Sequence, residues 1–195
     1  MGFIIFLAFD SLSQANHKKL PTSWDANGDG KKDAWAVYSE GKLIQYIYDR
    51  NGDGKVDDWS YFENGINVRD EADLNHDNRI DAWRYREPSG QIYKAEYDHD
   101  YDGKAENVEY FKNGERDKFT RDNDRDGHID EWGNLENGSV KEIRWSFNND
   151  EIIDKKTLYK NGRKIKEFYD RDRDGNFDEE ITLDEFERVI RTEKK

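Results

Sequence analysis

Acidic and amide side chains recur at fixed spacing along the chain. Six nine-residue stretches place them at positions one, three, five and nine. They are Asp25, Asn27, Asp29 and Asp33; Asp49, Asn51, Asp53 and Asp57; and Asp73, Asn75, Asp77 and Asp81. Further on come Asp98, Asp100, Asp102 and Glu106; Asp122, Asp124, Asp126 and Asp130; and Asp170, Asp172, Asp174 and Asp178. Position six is Gly in five of them and Asn78 in the third. Alternate residues at one, three and five turn inward, Gly permits a sharp turn, and the ninth side chain closes the shell. The backbone carbonyl at position seven (Lys31, Lys55, Arg79, Lys104, His128, Asn176) adds one more oxygen. A hard divalent cation takes about six to eight such oxygens.

Asp, Asn and Gly also dominate turns that hold no metal. A bare turn does not require four oxygen-bearing side chains at constant spacing six times over, and crowded carboxylates repel one another unless neutralised. The chain carries a net charge of -13, and six bound divalent ions would reduce it to -1. The donors are all oxygen and Cys is absent, which excludes soft metals. Flexible carboxylate loops suit Ca2+ better than octahedral Mg2+, with about five to seven ions expected across the chain. One further stretch (Ser146, Asn148, Asp150, Glu151, Asp154) lacks the Gly and two of the charges, and reads as an empty turn.

This nine-residue pattern resembles the calcium loop of EF-hand proteins, and the related loops of dockerins and FG-GAP repeats. The likeness covers the loops and not the whole chain. The bidentate Glu that an EF-hand carries at position twelve is replaced by Ala36, Ser60, Arg84, Gly133 and Ile181, and survives only as Glu109. Its loss implies weak sites, about 10⁻⁴ to 10⁻³ M, in the range of extracellular modules. A second EF-like register runs through Asp174, Asn176, Asp178 and Glu185.

The elements that carry these loops repeat with them. Loop starts at Asp25, Asp49, Asp73, Asp98, Asp122, Ser146 and Asp170 are spaced by 24 residues, with one interval of 25. The extra residue falls in Glu87-Pro88-Ser89-Gly90, where other units have Asn-Gly. Short runs rich in Trp, Tyr, Phe, Ile and Val favour strands. Asn64-Gly65, Asn113-Gly114, Asn137-Gly138 and Asn161-Gly162 between such runs predict hairpins. These hairpins resemble FG-GAP and MORN-type repeats. The expected fold is all-β: tandem 24-residue hairpins forming an elongated, twisted or coiled meander of about fourteen strands. Residues 22–195 form a single array of seven units. Thr182 to Glu185 has the form of a capping box, and Leu183, Phe186, Val189 and Ile190 share one helical face. A short capping helix is therefore expected from about residue 183.

Composition limits the function classes. Only 33% of the 195 residues are hydrophobic and 39% are charged, so the 14% that are aromatic must supply the packing. Trp35, Trp59, Trp83 and Trp132 occupy equivalent positions, and Tyr48, Tyr97, Trp145 and Tyr169 precede loops. A column of such rings reads as core, with a carbohydrate-binding aromatic face as the alternative. The acidic balance argues against nucleic acid. No stretch is long and apolar enough for a transmembrane segment. Phe3 to Phe9 followed by Ser13-Gln14-Ala15 reads as a signal-peptide remnant over residues 1–15, with an apolar edge strand or tail as the alternative. His17, His76, His99 and His128 enter no nucleophile or zinc motif, so no enzyme is expected. The reading is a calcium-stapled structural or adhesive protein, secreted, periplasmic or at the cell surface, whose protein or carbohydrate partner is unknown. The alternatives are a calcium sensor or buffer docking a partner through its C-terminal helix, and a carbohydrate binder.

Overall fold

The computed structural model describes residues 18–148, 150 and 152–194. The leader reading for residues 1–15, and Glu151 of the sixth loop, lie outside them. Fifteen strands follow one another in the sheet in chain order, an all-β open meander. They are β1 (Lys18–Trp24), β2 (Ala34–Ser39), β3 (Lys42–Tyr48), β4 (Asp58–Glu63), β5 (Ile66–Ala72), β6 (Ala82–Arg86), β7 (Ile92–Tyr97) and β8 (Asn107–Lys112). The others are β9 (Glu115–Arg121), β10 (Glu131–Glu136), β11 (Ser139–Trp145), β12 (Lys155–Lys160), β13 (Arg163–Tyr169), β14 (Glu179–Leu183) and β15 (Val189–Lys194). The chain divides into two compact units, Met1–Ile92 with Asp100–Gly103, and Tyr93–His99 with Lys104–Lys195.

The repeat arithmetic has a direct structural meaning. A nine-residue loop, a six-residue strand, a two-residue turn and a seven-residue strand together make the 24-residue period, as in Asp49 to Ala72. The Asn-Gly turns have positive φ at both residues, for example Asn64 at 51° and Gly65 at 82°. This geometry matches the natural twist of paired strands. Each of these hairpins also carries one extra residue on its second strand. Tyr61 pairs with Arg69 and Phe62 with Asn67, which leaves Val68 unpaired. The same shift leaves out Ile44, Asp117, Lys141 and Ile165. A bulge repeated at one place adds twist at every hairpin.

In the first unit, packing is achieved within the sheet by large side chains closing over small ones. Ala34 pairs with Trp24 on one side and Tyr48 on the other. The two rings meet edge to face at 6.2 Å, and Ala34 has no exposed surface. Tyr46 contacts Trp24 at 5.9 Å and Phe62 at 5.2 Å, extending the cluster. The Trp residues do not form a continuous column of stacked rings. Trp35 and Trp59 both pair with Ile47, and Trp59 and Trp83 both pair with Glu71, so another strand's side chain stands between successive rings. These Trp rings are half-buried, and they point to the face opposite Tyr48 because alternate residues of a strand face opposite ways. On that Trp face the Tyr61 hydroxyl donates to Glu71 at 2.6 Å. Burial, reinforced by this carboxylate, pushes Tyr61 up to about 12.

In the second unit, Phe119 is buried beside Gly133, and Lys155 lies over both Trp145 and Tyr169 at 5.3 and 5.2 Å. The expected C-terminal helix is absent, and its residues form a hairpin. β15 pairs with β14, and Asp184 closes the turn between them, accepting from the N–H groups of Phe186 and Arg188. A segment this short gains little as an isolated helix, whereas the open edge of β14 offers a ladder of backbone partners. Of the four apolar residues assigned to a helical face, Leu183 is half-buried on β14 and the other three are exposed: Phe186 by 68%, Val189 by 59% and Ile190 by 64%. Among the described residues no helix is long and apolar enough to cross a membrane.

Candidate metal centres

Each loop is built on its own carboxylates. In loop two, Asp49 accepts from the N–H groups of Gly52 and Gly54 at 2.8 Å each, Asn51 from Asp53 and Asp53 from Lys55. The ninth residue reaches back: Asp57 accepts from Arg50 and Asn51 at 2.9 and 3.1 Å. The pattern recurs at Asp25, Asn27, Asp29 and Asp33, and at Asp170, Asp172, Asp174 and Asp178. In loop three Asp73, Asn75, Asp77 and Asp81 do the same around Asn78, whose φ of 73° replaces the glycine conformation. In loop five Asp122, Asp124, Asp126 and Asp130 take these roles.

Sequence reasoning missed position four. It is left-handed in every one of these loops: Gly28 and Gly52, but also His76 at 63°, Tyr101 at 66°, Arg125 at 65° and Arg173 at 65°. The signal was the Gly at that position in loops one and two, which the pattern assigned no role. Position seven also does something the sequence did not indicate. The N–H groups of Lys31, Lys55, Arg79, His128 and Asn176 donate to the fifth-position carboxylate of the same loop.

Neighbouring loops within a unit are tied backbone to backbone. The N–H of the first residue donates to the carbonyl of the ninth residue one loop earlier: Asp49 to Asp33 and Asp73 to Asp57, each at 2.8 Å. In the second unit Asp122 bonds Glu106, Ser146 bonds Asp130 and Asp170 bonds Asp154. Within each unit these loops therefore lie side by side. Their end carboxylates are among the most buried groups of the chain, with Asp81 1%, Asp98 2% and Asp73 3% exposed. Carboxylates withdrawn from water to this degree need compensating positive charge or hydrogen bonds.

Four groups of carboxylates converge, each with ligand atoms all within 4.8 Å of one another. They are Asp73, Asp77 and Asp81; Asp98, Asp100, Asp102 and Glu106; Asp122, Asp124 and Asp130; and Asp170, Asp172 and Asp178. These groups could hold a metal ion. Loops one and two do not gather three carboxylates as closely, whereas loop three, which also has Asn at position three, does. Asp126 and Asp174 stand outside their loops' groups. Glu109 lies on β8, where Arg116 holds it at 2.7 Å, apart from the loop-four oxygens. Glu185 of the second EF-like register lies in the β14–β15 turn, where its carbonyl accepts from Arg163.

No protein-family model matches this chain, and no curated protein does. Among solved structures it is similar to the glycosylation-associated protein Gap123 complex of Streptococcus agalactiae, at TM-score 0.41 and 15% identity over 58% of this chain and 21% of that one. It is also similar to accessory secretory protein 1, 2 and 3 of Streptococcus pneumoniae, at 0.37 and 19% over 71% and 24%. TarM of S. aureus aligns at 0.32 and 13% over 67% and 22%. The chain thus spans less than a quarter of the length of each of these proteins.

Electrostatics differ between loops. Burial, together with the Asp130 and Asp126 carboxylates, raises Asp124 above its ordinary value. Asp25 is lowered instead, chiefly by the Gly30 N–H. Asp77 is lowered by Arg79, whose guanidinium pairs with it at 2.8 Å. Loop five therefore concentrates negative charge that the chain itself does not fully neutralise, which is the condition a hard cation relieves.

Proposed function

We propose that the chain is a calcium-binding repeat protein in which Ca2+ ions staple successive loops along the edge of the hairpin sheet, in a structural or adhesive role outside the cell. The observation that carries this reading is the convergence of carboxylates in four repeats, always from positions one and nine with position three, position five or both, all oxygen and within 4.8 Å. Such donor sets favour a hard cation, and the missing carboxylate at position twelve favours weak sites that fill where calcium is millimolar. The backbone bonds between adjacent loops support a stapling role, because an ion that orders one loop also orders its neighbour's first residue. The sensor alternative required a C-terminal helix, and those residues form the β14–β15 hairpin.

The test is calorimetric titration of calcium into metal-stripped protein, with circular dichroism on the same samples. Several weak sites accompanied by a gain of β structure support the staple. One or two micromolar sites on an already ordered chain would favour a sensor. No heat and no spectral change at millimolar calcium would overturn the metal reading.

A further inference from the structure

Loop six departs from the others at its ninth residue. Asp154 is 7% exposed, as deeply buried as the ninth residues of loops one to four, whereas Asp130 and Asp178 are half-buried. It accepts from the Phe147 N–H at 2.6 Å, the bond that position two makes in every loop. Two further donors approach it. The Asn148 side-chain amide donates to both oxygens, at 3.3 and 3.4 Å. Elsewhere the third residue uses its oxygen to accept from position five. The Arg173 guanidinium, reaching back from loop seven, lies 3.6 Å from Asp154 Oδ1.

Arg173 arrives there because it occupies position four, whose left-handed backbone swings the side chain over the preceding loop. His76 does the same four repeats earlier in the chain, with Nδ1 2.9 Å from Oδ1 of the buried Asp57. The two loops are already joined at the backbone, Asp170 N–H to Asp154 carbonyl at 3.0 Å, which fixes the distance the arginine must span.

We propose that Arg173 is the counter-cation of loop six: with the Asn148 amide it neutralises Asp154 in place of a metal ion. This rests on the metal reading of the other loops, since it says which loop is exempt. A guanidinium is permanently charged and offers several donors to a carboxylate, so this staple holds irrespective of calcium.

Amide exchange measured by NMR on the full chain tests it, because three equivalent N–H groups report on three loops. Asn123, Phe147 and Arg171 each donate to the ninth-position carboxylate of their own loop. In metal-stripped protein Phe147 is expected to exchange more slowly than Asn123, and calcium should slow Asn123 and Arg171 while leaving Phe147 unchanged. Arg173→Gly, which the backbone accepts because Gly is native at this position in loops one and two, should speed Phe147 exchange by about two- to fivefold without calcium. Arg173→Lys should retain part of the protection, and Asn123 should respond to neither change. Phe147 slowing with calcium in parallel with Asn123, or exchanging at the wild-type rate in Arg173→Gly, would overturn the proposal. If calcium altered none of the three amides the metal reading would fail, and the dependence of Phe147 on Arg173 would still decide whether arginine holds this loop.

Discussion

The ring of Phe119 lies across the backbone of Gly133, its cross-strand partner, so closely that a Cβ on Gly133 would collide with the ring. Phe119 is only 3% exposed, and the Arg121 guanidinium lies over its ring, 4.3 Å from the centroid. A glycine within a strand normally weakens it. Here it makes room for the ring, and the ring supplies the burial that glycine lacks. Gly133→Ala is therefore expected to destabilise the protein by about 1–3 kcal/mol, although alanine is the better strand residue. Urea unfolding monitored by Trp fluorescence measures this, and an unchanged or raised midpoint would refute the overlay.

Asp124 offers a prediction whose sign depends on calcium. Its raised pKa means that the folded, metal-free chain holds the proton more tightly than the unfolded chain does. Above the ordinary carboxylate range the ionised group therefore opposes folding. Asp124→Asn, using the residue native at this position in loops one to three, should raise the melting temperature without calcium. It should lower it, relative to wild type, at saturating calcium, because the amide oxygen that replaces the carboxylate brings no negative charge to the ion. Thermal scans of both proteins with EGTA and with millimolar calcium give the four values needed, and the same ordering in both conditions would count against an ion in loop five.

Asp70 dominates a different pH dependence. Burial acts to raise its pKa, yet hydrogen bonds from Asn67, Ser60 and Arg86 outweigh burial and hold it below 3.8. A carboxylate lowered by folding stabilises the fold above its unfolded value, and that stability is lost as pH falls through the lower, folded value. Asp70→Asn should cost about 1–2 kcal/mol at pH 7 and flatten the acid limb of the stability curve. Denaturation from pH 2 to 6 tests both, and parallel acid limbs for variant and wild type would remove Asp70 as the cause.

The β2–β3 turn is Glu40-Gly41, with Glu40 at a φ of 50° where four other hairpins place Asn. Glu40→Asn is expected to stabilise the protein by about 0.5–1 kcal/mol, because Asn tolerates the left-handed region better than a longer side chain. Chemical denaturation reads this directly, and no gain would mean that Glu40 makes a compensating contact in the native turn.

Much of this molecule was legible before folding was considered. The 24-residue period, the loop positions and the Asn-Gly turns identify hairpins and their order, because local propensity and turn chemistry act within a few residues of the chain. The carboxylate spacing marked six loops alike, and four of them bring three or more carboxylates together. Misreadings arose where a distant or neighbouring strand decides. Leu183 to Glu193 satisfies a helical pattern, but the ladder offered by β14 is a tertiary condition that a local pattern does not contain. Trp35 and Trp59 recur at equal positions, yet Ile47 stands between them, because in an antiparallel sheet the strand after a hairpin turn intervenes. The third dimension also settled the charge pairing of the loops. Asp154 and Arg173 are 19 residues apart, as are Asp57 and His76. Only a left-handed residue at position four, with the loops held side by side by backbone bonds, brings each pair together.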